Sequence, residues 1–191
     1  MLFSNVVQSC YKFRNYSFKM IKLTNENVSL REFTPDDIYR LAELANNPKI
    51  AVNLRDGFPH PYTVADAENF LDKYTGQETS LVLAIEYKGE YVGNIGLHKA
   101  TDVYRKSAEI GYFLGEPYWN NGIMTKAINL ICDYGFKNLD VIRIHAGIFE
   151  FNPASMRVLE KCGFKREAVC KKAIIKQGKI YDEVRYAKLI D

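Results

Sequence analysis

The sequence predicts one domain of the α/β (α+β) class, built around a mixed, largely antiparallel sheet. Segments with strand patterns alternate with segments of helical periodicity along the whole chain. Short turns at Lys88-Gly89-Glu90 and Gln177-Gly178-Lys179 join strand patterns directly, which is typical of antiparallel hairpins. The 191 residues contain no internal repeat or low-complexity linker, so a single domain with a sizeable core is expected.

Seven segments have strand patterns, in which β-branched and aromatic residues are frequent and turn residues mark the ends. The hairpin turns connect the second segment to the third and the sixth to the seventh. The predicted strands are residues 28–33, 80–87, 91–98, 107–114, 141–148, 164–175 and 181–189.

Four helices are predicted between these strands. The first follows Thr34-Pro35-Asp36-Asp37, because Thr can cap a helix, Pro fits the first turn and acids suit the positive helix end. It runs to about Asn46, and its apolar face consists of Ile38, Leu41, Ala42 and Leu44 or Ala45.

The second helix spans 63–74, the third follows Gly122, and the fourth spans 153–162. The stretch 47–62 is rich in Asn, Pro and Gly and predicts a loop.

Residues 1–19 differ from the rest of the chain. They carry Lys12, Arg14 and Lys19 but no acidic residue, which suits either a transit-like segment or an extension ahead of a start at Met20. The domain is therefore expected to span 20–191.

Composition narrows the classes of function. The net charge of +3 comes without a long basic run, so a nucleic-acid partner is not favoured. The four cysteines form no C-x-x-C pair and the three histidines have no zinc spacing, so we expect no metal and a reduced, cytoplasmic location. No apolar run approaches the roughly 20 residues of a membrane span. The sequence leaves open whether the chain forms a homodimer.

The run from Trp119 to Thr125 lies between a predicted strand and a helix. The first N–H groups of a helix lack partners and favour anions, and Gly122 lets a phosphate approach the backbone. The alternative is that Gly122 only forms a turn, with Asn120 or Asn121 capping the helix.

Two further groups of residues could carry chemistry. Asn152 and Pro153 suit the start of a helix, and the hydroxyl of Ser155 could either face a ligand or be solvated there. Glu109 lies between apolar residues of a strand, where it could act as a base in a cleft or simply lie on a solvent face.

Three runs in this order resemble the GNAT superfamily of N-acetyltransferases. AEIGYFLGEPYWNNGIMTKAI resembles the acetyl-CoA motif and its preceding strand, and FNPASMRVLEKCGF resembles the following Asn-x-x-Ser helix. LRDGFPHPYT resembles a loop of the RimJ/RimL-like branch, which includes ribosomal-protein alanine acetyltransferases. The resemblance covers residues 20–191 and implies the GNAT fold, with about seven strands and about four helices.

The resemblance also implies how acetyl-CoA is held. Backbone N–H groups of the turn would bind its pyrophosphate, strand backbone would bind the pantetheine amides, and Asn152 would bind the same arm. Trp119 replaces the usual basic or amide residue of the motif, and Met124 replaces a small one. The implied cofactor residues are Tyr112, Phe113, Leu114, Asn120, Asn121, Gly122, Ile123, Met124, Thr125, Asn152 and Ser155.

The implied reaction is transfer of an acetyl group to a primary amine. Glu109 matches a glutamate that some members use as a base, and Ser155 matches a serine proposed as the acid in the RimL-like branch. Other members use a Tyr as the acid, at the position of Leu159 here. The acceptor would contact Asn53, Arg55, Asp56, His60 and Tyr62.

Two points are left open by the sequence. Arg55 could select an acidic group on the acceptor or pair with Asp56. An inactive acyl-CoA sensor of the same fold and an RNA-associated protein are the competing functions.

Overall fold

Eight strands form one mixed sheet in residues 21–74 and 79–190, which the computed structural model describes. The predicted extension, residues 1–19, lies outside the described residues. The strands are β1 (Lys22–Asn25), β2 (Val28–Arg31), β3 (Ser80–Tyr87), β4 (Glu90–Lys99), β5 (Ser107–Leu114), β6 (Arg143–Phe149), β7 (Lys165–Lys176) and β8 (Lys179–Leu189).

The sheet order is β1-β2-β3-β4-β5-β6-β8-β7. Every neighbouring pair is antiparallel except β5 and β6, which are parallel. The predicted class and the largely antiparallel, mixed sheet are therefore confirmed.

Five α-helices cover the two faces of the sheet in the described part of the chain. They are α1 (Asp37–Ala45), α2 (Pro48–Ala51), α3 (Val64–Tyr74), α4 (Ile123–Asn138) and α5 (Pro153–Lys161). None of the described helices has both the length and the apolar character needed to span a bilayer.

Alternation along the strands divides the buried side chains into two cores. Ala108 and Ile110 of β5 pack in the larger core with α4 and Leu159 of α5. Phe113 packs in the second core with α1, α2 and α3. Because successive strand residues point to opposite faces, Glu109 and Gly111 share the second face with Phe113.

Strand β1 and helix α2 were not predicted, so the counts of about seven strands and about four helices fall one short of the eight and five observed. β1 has only four residues and stays mostly exposed, which leaves no apolar alternation to detect. α2 is a single turn within the predicted loop, where the side chain of Asn47 accepts a hydrogen bond from the N–H of Lys49.

The start of α1 is also displaced from Thr34 to Asp37. The carboxylate of Asp37 is buried and accepts two hydrogen bonds from Arg31, at 2.7 and 2.8 Å, and one from the N–H of Thr34 at 2.8 Å. Tertiary contacts with β2 therefore set the beginning of this helix.

Strands β5 and β6 separate along their length. Only Ser107 to Glu109 pair with β6, although β5 continues to Leu114 and β6 continues to Phe149. The separation leaves a gap between two strands in the middle of the sheet.

Candidate functional site

A cleft of about 1230 Å³ passes through this gap and reaches both faces of the sheet. One end is lined by the turn before α4 and by the start of α5. The other end is lined by α3, the loop before it and the face of β4 and β5 that carries Glu109. A ligand in the cleft therefore contacts residues that are more than 100 positions apart in sequence.

The turn before α4 presents an open helix start to the cleft. Gly122 is the N-cap with φ 72°, and no side chain in the described chain caps the helix there. The Asn121 side chain instead donates to the backbone oxygens of Tyr118 and Trp119, at 3.3 and 3.0 Å. The alternative in which Asn120 or Asn121 caps α4 is therefore wrong, and the first N–H groups of the helix can meet an anion.

Asn120 and Met124 show how the turn tolerates its unusual residues. Asn120 has φ 62°, a left-handed conformation that Asn adopts more readily than most residues. Met124 is buried against the larger core and is also one of the residues that line the cleft.

The edge of β5 presents backbone groups toward the gap. The N–H of Gly115 donates to the carbonyl oxygen of Val92 in β4 at 2.9 Å. Backbone groups of alternate strand residues point to the same side, so those of Phe113 also point toward β4. The backbone groups of Tyr112 and Leu114 point the other way, toward β6. Trp119 Nε1 already donates to the Leu114 carbonyl at 2.7 Å. The backbone N–H and carbonyl of Tyr112 and the N–H of Leu114 are therefore the groups that face the gap and could bind a ligand.

Ser155 lies at the start of α5 and shares a hydrogen bond with the partly buried Tyr112. Its Oγ is 2.8 Å from the hydroxyl oxygen of Tyr112, and its N–H donates to Asn152 Oδ1 at 3.1 Å. Burial raises the pKa of the Tyr112 phenol well above its usual value, so Tyr112 keeps its proton at neutral pH. Tyr112 can therefore donate to Ser155, whose own hydroxyl hydrogen is then free to turn toward a ligand.

Four polar side chains form a row across the sheet on the second face. Ser80, His98, Glu109 and His145 lie directly opposite one another on β3, β4, β5 and β6. His98 Nδ1 is 3.0 Å from Ser80 Oγ. Burial lowers the pKa of both histidines, and the Glu109 carboxylate opposes this effect, so both imidazoles are neutral at pH 7. Sequence reasoning missed the two histidines, since only the strand register places them beside Glu109.

Glu109 forms an ion pair with Arg55 from the loop before α3. The side chain of Arg55 is 75% exposed and that of Glu109 is 32% exposed, so the pair contributes little to stability. Asp56 pairs instead with Lys176 at 2.8 Å, and Lys176 also donates to the Leu54 carbonyl at 2.7 Å. The expected alternative of an Arg55–Asp56 pair is wrong.

The remaining residues expected to contact an acceptor divide into two groups. Asn53 and Tyr62 line the cleft, where Asn53 donates to the Lys49 carbonyl at 2.9 Å and Tyr62 is buried. His60 is exposed and lies outside the cleft lining, so the structure does not bring it to the site.

Arg157 and Lys161 of α5 line the cleft beside the open start of α4. Their cationic groups suit an anionic ligand, and sequence reasoning did not single them out. Across 21–74 and 79–190, no group of three or more His, Cys, Asp or Glu side chains could hold a metal ion.

Residues 27–165 match the family described as Acetyltransferase (GNAT) domain. The chain is similar to the Uncharacterized N-acetyltransferase YoaA of Bacillus subtilis (strain 168), with 38% identity over 98 residues, 51% of this chain and 55% of that protein. The match therefore spans about half the length of that relative.

Solved structures resemble the whole fold. The Microcin C7 self immunity acetyltransferase MccE, in complex with acetyl-CoA and AMP, has a TM-score of 0.76 and 29% identity, covering 87% of this chain and 94% of its own. RimL, the ribosomal L7/L12 alpha-N-protein acetyltransferase in complex with coenzyme A, has a TM-score of 0.80 and 21% identity, covering 91% and 99%. The likeness to RimL shows the fold alone.

Proposed function

Because this chain belongs to the GNAT acetyltransferase family, we propose that it transfers an acetyl group from acetyl-CoA to a primary amine. The fold is the GNAT fold that the motifs predicted. The observation that carries the proposal is a cleft between β5 and β6. It joins the open start of α4, which no described side chain caps, to the Glu109 carboxylate. The acceptor is a protein N-terminus or a small-molecule amine.

Acetyl-CoA is the acyl donor, and the open end of the cleft suits its charge. The backbone N–H groups of 121–125 hold the pyrophosphate, and Asn120 forms the turn before them. The Tyr112 backbone and the Leu114 N–H face the gap and bind the pantetheine amides, while Phe113 supplies an apolar wall. Asn152 uses its oxygen to cap α5, which leaves its amide N–H groups for the same arm.

The reaction requires that an amine lose a proton and that a thiolate leave. Glu109 lies at the acceptor end and takes the proton, directly or through water. Ser155 lies on the donor side and donates a proton to the departing thiolate, with Tyr112 holding its hydroxyl in place. Alignment of the amine with the thioester contributes further, since positioning alone can lower a barrier by roughly 7–11 kcal/mol.

The acceptor end is formed by Asn53, Arg55 and Tyr62. Arg55 pairs with the Glu109 carboxylate, and an incoming ammonium group would compete with it for the same oxygen atoms. The run 54–63 supports a place in the RimJ/RimL-like branch. The four cysteines form no C-x-x-C pair, and this supports a reduced, cytoplasmic location for the chain.

Thermal unfolding with acetyl-CoA tests the donor site, because a ligand that binds only the native state raises Tm. An acceptor screen that measures thiol release tests turnover. We expect a rise in Tm and thiol release with at least one amine. An unchanged Tm at millimolar acetyl-CoA would refute the proposal, and a rise in Tm without thiol release for any amine class would point to a sensor.

A further inference from the structure

We propose that the acceptor carries an aromatic or branched aliphatic group close to its primary amine, and that this group binds in an apolar recess of the cleft. The inference rests on the proposed function and narrows its acceptor class. Either a peptide with an apolar N-terminal residue or a small arylalkylamine has the required chemistry.

The recess lies between the second face of the sheet and α3; it is partly open and has a volume of about 130 Å³. An apolar cavity of about 150 Å³ is large enough to bind benzene. The recess is slightly smaller but partly open, so a phenyl ring or a branched side chain can enter it. Its walls and floor include Phe58, Phe70, Tyr74, Val82, Gly96 and Gly111.

Two glycines leave the sheet surface under the recess without side chains. A Cβ atom at Gly96 would lie 2.9 Å from Val82 Cγ2 and 3.1 Å from the Leu81 carbonyl oxygen, so no side chain fits there. A Cβ atom at Gly111 would meet only His98 Nε2, at 4.0 Å, so the space above Gly111 is open. The opening connects the recess to the polar row.

His98 places the recess next to the reacting groups. Its ring lies 5.6 Å from that of Tyr74 in the wall of the recess, and it is directly opposite Glu109 on the next strand. An apolar group in the recess would thus hold an amine a few bonds away beside Glu109 and the neutral His98 imidazole. This arrangement positions the amine for attack.

The recess belongs to the acceptor and not to the acyl group of the donor. It lies under α3 and the preceding loop, on the face that carries Phe113. Neither the turn before α4 nor Ser155 lines the recess, although Tyr112, whose hydroxyl is bonded to Ser155, does. A donor held at the start of α4 would therefore enter from outside the recess.

The test uses matched amines with acetyl-CoA as donor. Phenylalaninamide and leucinamide should react with a kcat/KM at least about tenfold higher than that of alaninamide, since each added apolar group in a fitted pocket contributes roughly tenfold or more. They should also raise Tm further than alaninamide does in the presence of CoA, a readout that needs no turnover.

A variant whose new side chain fills the recess provides the second part of the test. Val82→Phe should remove most of the preference for phenylalaninamide while leaving the Tm shift with acetyl-CoA unchanged. Val64→Phe makes the same substitution at an exposed position of α3 outside the cleft, and it should keep the preference.

Three results would overturn the inference. One is equal kcat/KM for all three amides, and another is a preference that survives Val82→Phe. The third is a gain with isovaleryl-CoA or benzoyl-CoA as donor that Val82→Phe abolishes, because the recess would then hold the acyl group. Absence of any Tm shift with acetyl-CoA would instead refute the proposed function itself.

Discussion

The hydrogen bond between Ser155 and Tyr112 gives Ser155 a defined orientation at the donor side of the cleft. Ser155→Ala removes the hydroxyl but keeps the start of α5, since the Asn152 cap bonds to the backbone N–H of residue 155. We expect kcat to fall by about ten- to a thousandfold, the usual contribution of one acid–base group, with the Kd for CoA little changed. Steady-state kinetics and calorimetry with CoA measure the two quantities.

Tyr112→Phe is the matched variant, because it removes only the hydroxyl partner of Ser155. It should lower kcat less than Ser155→Ala, and the double variant should be no slower than Ser155→Ala alone. If Ser155→Ala weakens CoA binding as much as it slows turnover, Ser155 anchors the cofactor and is not the acid.

The two histidines of the polar row predict an acid-sensitive step in stability. Burial holds their folded-state pKa below the value of about 6.5 in the unfolded chain, so the unfolded chain takes up protons first as the pH falls. The contribution of these two histidines to the free energy of unfolding is therefore constant above about pH 6.5 and becomes unfavourable as the pH falls below it.

Tm measured from about pH 7.5 to about pH 5 should show this decrease. His98→Gln and His145→Gln should each reduce the slope, since glutamine does not titrate. His60→Gln is the control, because His60 is exposed and lies away from the row. Identical slopes in all four proteins would show that the row does not contribute to the acid response.

At the scale of elements, α4 depends on the left-handed turn that precedes it. Gly122→Val places a β-branched residue at φ 72° and fills the open space above the turn, where a Cβ atom would have no neighbour within 4 Å. The conformation should cost roughly 1–2 kcal/mol. We expect a lower Tm and a Kd for CoA that is weaker by about tenfold or more, because the new side chain blocks a phosphate.

Gly122→Asn separates the two effects, since Asn tolerates positive φ as Asn120 already does. It should retain most of the thermal stability but still weaken CoA binding. Unchanged CoA affinity in both variants would mean that this turn does not hold the pyrophosphate.

At the scale of the whole molecule, Lys176 ties the β7–β8 hairpin to the loop that carries Arg55. Its side chain is only 9% exposed, and its Nζ bonds to Leu54 and Asp56. Lys176→Met should release this loop and raise KM for the acceptor by about tenfold, while KM for acetyl-CoA stays the same. The release should be local, because the elements proposed to hold CoA are α4, α5 and β5.

Lys179→Met is the control on the same hairpin, where the side chain is exposed. It should leave both KM values unchanged. A change in KM for acetyl-CoA with Lys176→Met would indicate that the hairpin supports the whole cleft and not only its acceptor end.

The sequence by itself determined the local elements and the turn before α4. Strands β3 and β5 begin and end where the patterns predicted, because alternation and flanking turn residues are local properties. The same holds for the start of α4 after Gly122 and for the Asn152 cap of α5. These features depend on periodicity and capping within a few residues, which a single sequence displays.

Only the tertiary structure decided which side chains meet. The row from Ser80 to His145, the Tyr112–Ser155 bond and the partners of Arg55 and Lys176 all join residues far apart in the chain. Their pairing follows from strand register and from how helices and loops pack on the sheet. A shift of one residue in register would turn every one of these strand side chains to the opposite face.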